Sequence, residues 1–144
     1  MSSDLEWLLL RKNNSFTVKR VPEGPTFTKE PGNLRNIHSH KYSGLANQKT
    51  IDVRPTPQGI AITHRKKNAS PRAVRSARKT TVISSRTGPR RAFGIGASLA
   101  KRGYRPDLRS AAVARVSALI AAQKEPGEEP PKKLRGKKAK LLPV

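Results

Sequence analysis

The stretch YRPDLRSAAVARVSALIAAQK, Tyr104–Lys124, is the part of the sequence that decides the fold. Pro106 and Asp107 favour a helix start, since proline lacks the N–H that is unpaired there and a carboxylate suits the positive end of the helix dipole. At about 100° per residue, one side of this helix gathers the apolar residues. We expect that side to pack against a core, through Leu108, Ala112, Val113, Val116, Leu119 and Ile120.

The opposite side of this helix is nearly bare of side-chain bulk, and Arg109 and Arg115 border it. One interpretation is a helix face that meets water, since alanine is the best helix former. The other is a face that lets a phosphate backbone come close while the arginines reach its oxygens. The charge of the surrounding chain favours the second interpretation. The small residues of this face are Ser110, Ala114, Ser117, Ala118 and Ala121.

Positive charge dominates the composition. The chain has 144 residues, with 31 Lys and Arg against 9 Asp and Glu, for a formal net charge of +22. From Val53 to Pro106 there is no acidic residue, and this span holds 14 Lys and Arg. A solvated surface usually mixes the two signs, so a long run of one sign indicates a contact surface for a polyanion. We therefore expect a nucleic acid as the partner.

Several classes of function find no support in the sequence. There is no Cys, hence no disulfide or thiolate metal site, and neither a secretory signal nor a membrane span is visible. GIGAS, residues 94–98, lacks the third glycine of a dinucleotide fingerprint. His38, His40 and His64 have no cysteine or carboxylate cluster to complete a metal site. We expect no catalytic, cofactor-binding or metal-binding residue.

The order of patterns predicts an α+β fold. LEWLLLR and SFTVKR suggest a first hairpin, and KTIDVRP and GIAITHR, joined by TPQG, a second, so that four strands form one small antiparallel sheet. TTVISS is either a short strand or a loop, and GPRRAFGIGASLAKRG has helix punctuation. We divide the chain into a β-rich domain (1–65), a basic extended segment (66–88), one or two helices (89–124) and a flexible basic tail (125–144).

The basic residues of these segments are the candidate binding site. The scarcity of aromatic residues, 4%, argues against stacking on single-stranded bases. We therefore expect contacts to the phosphates of a folded nucleic acid, and we expect the middle segment to become ordered on it. The predicted contact residues are Arg11, Lys12, Lys19, Arg20, Lys49, Arg65, Lys66, Lys67, Arg72, Arg75, Arg78, Lys79, Arg90, Arg91, Lys101, Arg102, Arg105, Arg109 and Arg115.

Three segments, about half the chain, match one known family in the family's own order: residues 5–20, residues 28–34 with 42–55, and residues 104–119. On these segments the chain resembles the eukaryotic ribosomal large-subunit protein 28 family, which is distinct from the bacterial protein of the same number. The matching residues are Trp7, Arg11, Ser15, Phe16, Lys19, Arg20, Glu30, Pro31, Asn33, Leu34, Tyr42, Gly44, Leu45, Lys49, Thr50, Tyr104, Arg105, Pro106, Asp107, Leu108, Arg109, Ala111, Ala112, Arg115, Ser117 and Ala118.

The resemblance implies a small α+β protein of the large (60S) subunit of the cytosolic ribosome, with a structural role in translation. Its partners would be large-subunit rRNA and neighbouring large-subunit ribosomal proteins. We expect no membrane, no small-molecule substrate and no homo-oligomer. The location would be the cytoplasmic ribosome, with passage through the nucleus and nucleolus during assembly.

Two other functions stay open at this point. One is a basic chromatin or DNA-binding protein similar to a linker histone, although such proteins carry long lysine tails. Here arginine is abundant and much of the charge lies inside the chain. The other is a ribosome assembly factor that shares the N-terminal domain.

Overall fold

The computed structural model describes residues 2–70, 72–101, 103–124 and 127. In this part of the chain, three α-helices and five strands follow one another in the order α-β-β-β-β-β-α-α. Their bounds are α1 Ser3–Leu10, β1 Thr17–Lys19, β2 Thr26–Thr28, β3 Ile51–Thr56, β4 Gly59–Arg65, β5 Arg78–Ser84, α2 Pro89–Lys101 and α3 Arg109–Gln123. The expected α+β class is confirmed. The predicted flexible tail, 125–144, lies outside the described residues except for Gly127.

The strands form two antiparallel sheets, so the prediction of one four-stranded sheet was wrong. β1 pairs with β2, and β3, β4 and β5 form the second sheet with β4 in the middle. The second neighbour of β4 is β5. This strand contains most of TTVISS, for which the sequence left a strand and a loop open. Because β5 exposes nearly all its residues, it has little of the alternation that marks a strand in a sequence.

The apolar run LEWLLLR does not form a strand, as its sequence suggested, but the helix α1. Asp4 and Glu6 lie in the first turn of α1, where negative side chains stabilise the helix dipole. Leucine and glutamate are also good helix formers. A short apolar run has no clear period, which is why the sequence pattern did not separate the two possibilities.

The hairpin of β3 and β4 is confirmed in the predicted position. Ile51 and Val53 of β3, and Ile60 and Ile62 of β4, are 0–3% exposed and point to the same side of the sheet. Gly59 begins β4 with φ +137°, and a Cβ there would overlap the carbonyl of Ile83 in β5. Only glycine fits this close approach of two backbones.

The helix that decides the fold packs against this sheet on its predicted face. Pro106–Leu108 form a 3₁₀ turn, and the α-helical part, α3, begins at Arg109. Leu108, Ala112 and Val116 are buried, and Leu119 and Ile120 pack against the core. α3 contacts β3 and β4. The predicted face of small residues is exposed throughout.

The helix predicted from GPRRAFGIGASLAKRG is confirmed as α2. It packs along α3 through a face of small residues. Ala92, Gly96 and Ala100 recur every four residues and are buried, so they share one side of the helix. A Cβ at Gly96 would lie 3.0 Å from Cγ2 of Val116 in α3. The glycine in GIGAS thus allows close helix packing.

A buried polar cluster fixes the long loop between β2 and β3. Glu30 is 4% exposed and accepts hydrogen bonds from Asn33 Nδ2 at 3.3 Å and from Ser43 Oγ at 3.2 Å. Asn33 Nδ2 also donates to the Ile37 carbonyl at 2.8 Å. A Cβ at Gly44 would overlap the carbonyl of Pro31, so the two halves of the loop approach closely. Glu30 therefore serves the fold.

None of the helices in the described part of the chain is long and apolar enough to cross a membrane.

Candidate nucleic-acid interface

A dense group of positive charges in the described part of the chain lies at one end of the β4–β5 pair. Arg65, the last residue of β4, stands directly opposite Arg78, the first residue of β5, and His64 stands opposite Lys79. The connection between these strands, residues 66–77, adds four more cationic residues. We call this end of the sheet the basic tip and define it by Arg65, Lys66, Lys67, Arg72, Arg75, Arg78 and Lys79.

The backbone of the basic tip is held by hydrogen bonds that leave most of its cationic side chains exposed. Lys66 N donates to the Ala77 carbonyl at 2.7 Å, and Ala77 is only 1% exposed. The Arg65 guanidinium donates to the Ser70 carbonyl at 3.2 Å, and Arg65 is half-buried. The other six side chains of the tip are exposed. The tip therefore presents positive charge on an anchored loop.

The charge of the basic tip also acts on His64. Burial lowers the pKa of His64 below its ordinary value of 6.5, and the positive charge of Lys79 lowers it further. His64 is thus neutral at neutral pH. The ring packs edge-on against Tyr104, with 5.8 Å between the ring centroids.

A cavity of about 280 Å³ adjoins the tip. Lys49, on the loop before β3, lines it together with three residues of the tip, and the amide side chains of Asn47 and Gln48 face the same space. Glu6 of α1 contributes the one carboxylate among the residues that line this cavity. The arrangement extends the cationic surface from the tip to Lys49.

Tyr104 ties the basic tip to the helical part of the protein. Its hydroxyl donates to the Arg65 carbonyl at 2.6 Å, and the residue is 5% exposed. Burial raises the pKa of the Tyr104 phenol above its ordinary value of 10.0. The hydroxyl therefore stays protonated and available as a donor at neutral pH.

Arg105 makes its hydrogen bonds inside the protein. Its Nε and Nη2 donate to the two carboxylate oxygens of Asp107 at 2.9 and 2.7 Å. Nη1 donates to the Lys49 carbonyl and Nη2 to the Lys41 carbonyl, both at 2.9 Å. The Arg105 hydrogen bond lowers the pKa of Asp107 below its ordinary value of 3.8. Residues 104–107 (YRPD) therefore connect the start of α3 to two loops, and we call them the clasp.

The bare face of α3 forms one wall of a shallow groove of about 380 Å³. Arg115 of α3 and Arg35, from the loop after β2, both line it. The guanidinium of Arg35 lies 5.7 Å from the ring centroid of Tyr42. The groove floor consists of small side chains and Leu34, namely Ser110, Ala111, Ala114 and Ala118. Two arginines thus line a space that a backbone could enter.

The described carboxylates neutralise little of this charge. Within residues 2–70, 72–101 and 103–124, the arginines in ion pairs are Arg54, with Asp52 at 2.6 Å, and Arg105, with Asp107 at 2.7 Å. Asp4 contacts His40 at 3.5 Å. The side chains of the basic tip have no such partner in this part of the chain. Their like charges therefore repel one another at short range.

The other predicted contact residues are spread over the surface. Arg11 and Lys12 follow α1, Lys19 and Arg20 lie at the end of β1, and all four are exposed. The first turn of α2 exposes two arginines and the first residue of α3 one more, which are Arg90, Arg91 and Arg109. The predictions for Arg102 and for the side chain of Lys101 fall outside what the structure describes.

Sequence reasoning missed two arginines that the structure exposes, one of them in the α3 groove. Arg35 reaches the α3 groove through a contact between distant parts of the chain, and no local pattern indicates it. Arg86 is exposed in the turn between β5 and α2. It lies in the acid-free span from Val53 to Pro106, so that signal could have identified it.

Of the three histidines, His40 is the one that contacts an acidic residue of the described chain, Asp4 at 3.5 Å. Among the described residues, no group of three or more His, Asp or Glu side chains is placed to hold a metal ion. Trp7 stacks on His40 and packs on His38.

Comparison with known proteins decides the family. The Ribosomal L28e protein family matches residues 5–122. The chain belongs to this family. It is a family of ribosomal proteins and not of enzymes, which agrees with the expectation drawn from the segments at residues 5–20, 28–34 with 42–55, and 104–119.

Relatives of this family member match over nearly their whole length. The large ribosomal subunit protein eL28 of Dictyostelium discoideum is 40% identical over 130 residues, covering 86% of this chain and 93% of the relative. The protein of the same name from Schizosaccharomyces pombe is 32% identical over 127 residues, covering 86% and 94%. The one from Caenorhabditis elegans is 30% identical over 115 residues, covering 80% and 90%.

Proposed function

We propose that this protein is a structural constituent of the large subunit of the cytosolic eukaryotic ribosome and stabilises folded rRNA through Arg– and Lys–phosphate contacts. The observation that carries the proposal is the basic tip. It places Arg65 opposite Arg78, and none of its side chains forms an ion pair with a carboxylate of the described chain. The family to which the protein belongs supports the assignment to the ribosome. The name of its relatives, large ribosomal subunit protein, supports the assignment to the large subunit.

The proposed mechanism is charge neutralisation. Like charges directly opposite each other in a sheet destabilise it, and a phosphate between them turns the repulsion into two attractions. Each phosphate contact also releases a counterion from the nucleic acid, so binding weakens as salt rises. The anchored backbone of the tip limits the entropy that binding must remove.

A second set of contacts lies at the α3 groove. Arg35 and Arg115 both line it, and the small residues in the same lining leave room for a phosphate–sugar backbone. The two arginine forks can bind phosphate oxygens bidentately, and the other lining residues, Leu34 and small Ala and Ser side chains, add no further pattern that would select a base. This suits a protein that recognises the shape of folded RNA.

Arg105 takes a different part in the proposal. Its guanidinium already donates to Asp107 and to two backbone carbonyls. We therefore assign Arg105 to the clasp, where it holds the loops that carry Lys41 and Lys49. The phosphate contacts fall to the exposed predicted residues Arg11, Lys12, Lys19, Arg20, Lys49, Lys66, Lys67, Arg72, Arg75, Arg78, Lys79, Arg90, Arg91 and Arg109, and to the half-buried Arg65 and Arg115.

The partners in this proposal are large-subunit rRNA and adjacent ribosomal proteins. The protein would work in cytoplasmic ribosomes and pass through the nucleus and nucleolus during assembly. It performs no catalysis there: its contribution is to hold RNA segments whose phosphates would otherwise repel.

A sedimentation experiment tests this function against the chromatin and assembly-factor alternatives. A tagged copy is expressed in a eukaryotic cell, and the lysate is treated with DNase and separated on a sucrose gradient. The proposal predicts a tagged protein that travels with mature large subunits and with translating ribosomes. Release by DNase would indicate a chromatin protein, and confinement to precursor particles an assembly factor. Either result would contradict the proposal.

A further inference from the structure

The helix α1 presents an apolar face to solvent. Leu5, Leu8 and Leu9 are 49%, 59% and 63% exposed, and α1 buries none of its residues. Residues at positions i, i+3 and i+4 of a helix share one side. The three leucines therefore form one patch, which we call the leucine face.

The opposite side of α1 holds the helix on the protein and fixes which way the leucine face points. The Trp7 ring lies 5.0 Å from the His38 ring and 5.8 Å from the His40 ring, between centroids, and is stacked on the latter. Asp4 contacts His40 Nδ1 at 3.5 Å. One nitrogen of His38 lies 2.9 Å from the Arg11 carbonyl, at the end of the helix. The helix is thus docked by Trp7, while its leucines remain outside.

The charge of α1 has the opposite sign to the net charge of the chain. From Ser2 to Leu10 the chain carries Asp4 and Glu6 and no Lys or Arg, although the whole chain has a net charge of +22. A phosphate backbone would meet two negative charges and three apolar side chains here. Neither binds a phosphate, and the carboxylates repel it. A protein surface with apolar and basic side chains complements both features.

Exposed apolar residues concentrate on this part of the chain. Of the nine large apolar side chains that are exposed among the described residues, seven lie between Leu5 and Leu45. The acid-free span from Val53 to Pro106 contains the other two, Val74 and Val82. Most exposed apolar side chains thus lie outside the acid-free span, and three of them form the leucine face.

We propose that the leucine face binds an apolar segment, flanked by Lys or Arg, of a neighbouring protein in the same particle. This inference rests on the proposed function, since it assumes that the protein resides in the large subunit. Leu8 and Leu9 would enter the partner's apolar surface, and Asp4 and Glu6 would face its basic residues. The rRNA would contact other surfaces, beginning with the basic tip.

Photo-crosslinking in purified large subunits tests the inference. The crosslinking amino acid p-benzoylphenylalanine replaces Leu8 in one variant and, as the control, Val74, which is 71% exposed beside the basic tip. The inference predicts that the Leu8 position crosslinks to a peptide of another subunit protein with apolar residues next to Lys or Arg. The Val74 position should crosslink mainly to rRNA. A Leu8 crosslink to rRNA, to a second copy or to the chain's own tail overturns the inference, as does the absence of any crosslink.

A pair of charge variants gives a second readout that does not depend on crosslinking. Leu8→Asp combined with Leu9→Asp should reduce incorporation into large subunits at least severalfold in competition with the unaltered protein. Val21→Asp, at a residue that is 59% exposed, is the control and should incorporate normally. Equal incorporation of all three proteins would overturn the inference. If the unaltered protein itself does not sediment with large subunits, the proposed function fails; if it does and Leu8 crosslinks to rRNA, only the inference fails.

Discussion

Arg65 and Arg78 lie directly opposite each other at the end of the β4–β5 pair. Two arginines in this position raise the free energy of the folded chain, because like charges face each other across the strands. In the proposed function the two side chains share one phosphate, and its negative charge offsets their repulsion. One substitution at this pair should therefore change the stability of the free protein and its affinity for RNA in opposite directions.

Arg78→Gln should stabilise the free protein and weaken its binding to rRNA. Removing one of two opposed charges should raise the free energy of unfolding by about 0.2–0.5 kcal/mol at low salt. Urea denaturation measures the first effect and an rRNA-binding titration the second. Arg54→Gln is the control, because Arg54 pairs with Asp52 at 2.6 Å. It should not stabilise the protein and should leave binding nearly unchanged; a gain in stability as large as that of Arg78→Gln would contradict this account.

Gly94 and Gly96 lie two residues apart in α2 and should respond oppositely to substitution. Gly94 is exposed and has nothing within 4 Å of a Cβ, so Gly94→Ala should stabilise the protein by up to about 1 kcal/mol. Gly96→Leu would force a side chain against Val116 and should cost about 1–3 kcal/mol. Urea unfolding of the two variants checks both values. Equal effects would show that α2 does not pack on α3 through Gly96.

Asp107→Asn should lower stability at neutral pH but not in acid. The pKa of Asp107 is lowered in the folded protein, so its ionised form stabilises the fold above the unfolded pKa, and this contribution is lost as pH falls through the folded value. The stability gap between the variant and the unaltered protein should therefore close as pH falls below about 4. Urea midpoints at a series of pH values measure it. Glu23→Gln, at an exposed loop residue, is the control and should show no comparable gap.

Tyr104→Phe should loosen the connection between α3 and the basic tip. It removes the donor to the Arg65 carbonyl, a hydrogen bond of 2.6 Å, and should cost about 0.5–1.5 kcal/mol. Amide hydrogen exchange should show faster opening at the end of β4. Tyr42→Phe is the matched control, because the Tyr42 hydroxyl has no hydrogen bond to the described residues. Unchanged exchange in Tyr104→Phe would mean that the clasp does not hold the tip.

The parts of the fold with a clear period were predictable from the sequence. The alternation of Ile51 and Val53 with polar residues predicted β3, and the four-residue spacing of Leu108, Ala112 and Val116 predicted the buried face of α3. α1 was mistaken for a strand because eight residues are too few to separate the two periods. β5 was left undecided because its exposed threonines and basic residues give no alternation.

The candidate site was predictable as a set of charges but not as a geometry. The acid-free span pointed to Arg65 and Arg78, yet only the strand register places them opposite each other. Arg105 has the same charge and lies in the same span, but Asp107 and two distant carbonyls engage it. Arg35 reaches the α3 groove across the fold. Long-range pairing of this kind leaves no local mark in a sequence.

The salt dependence of binding to purified large-subunit rRNA tests the central claim most directly. Between about 50 and 200 mM salt, the logarithm of the affinity should fall linearly with the logarithm of the salt concentration. Arg75→Gln combined with Arg78→Gln should reduce the slope by about 0.7–0.9 for each contact removed, and Arg54→Gln should leave it unchanged. An affinity that stays constant over this range, or a slope that the tip substitutions do not alter, would contradict phosphate binding by the basic tip.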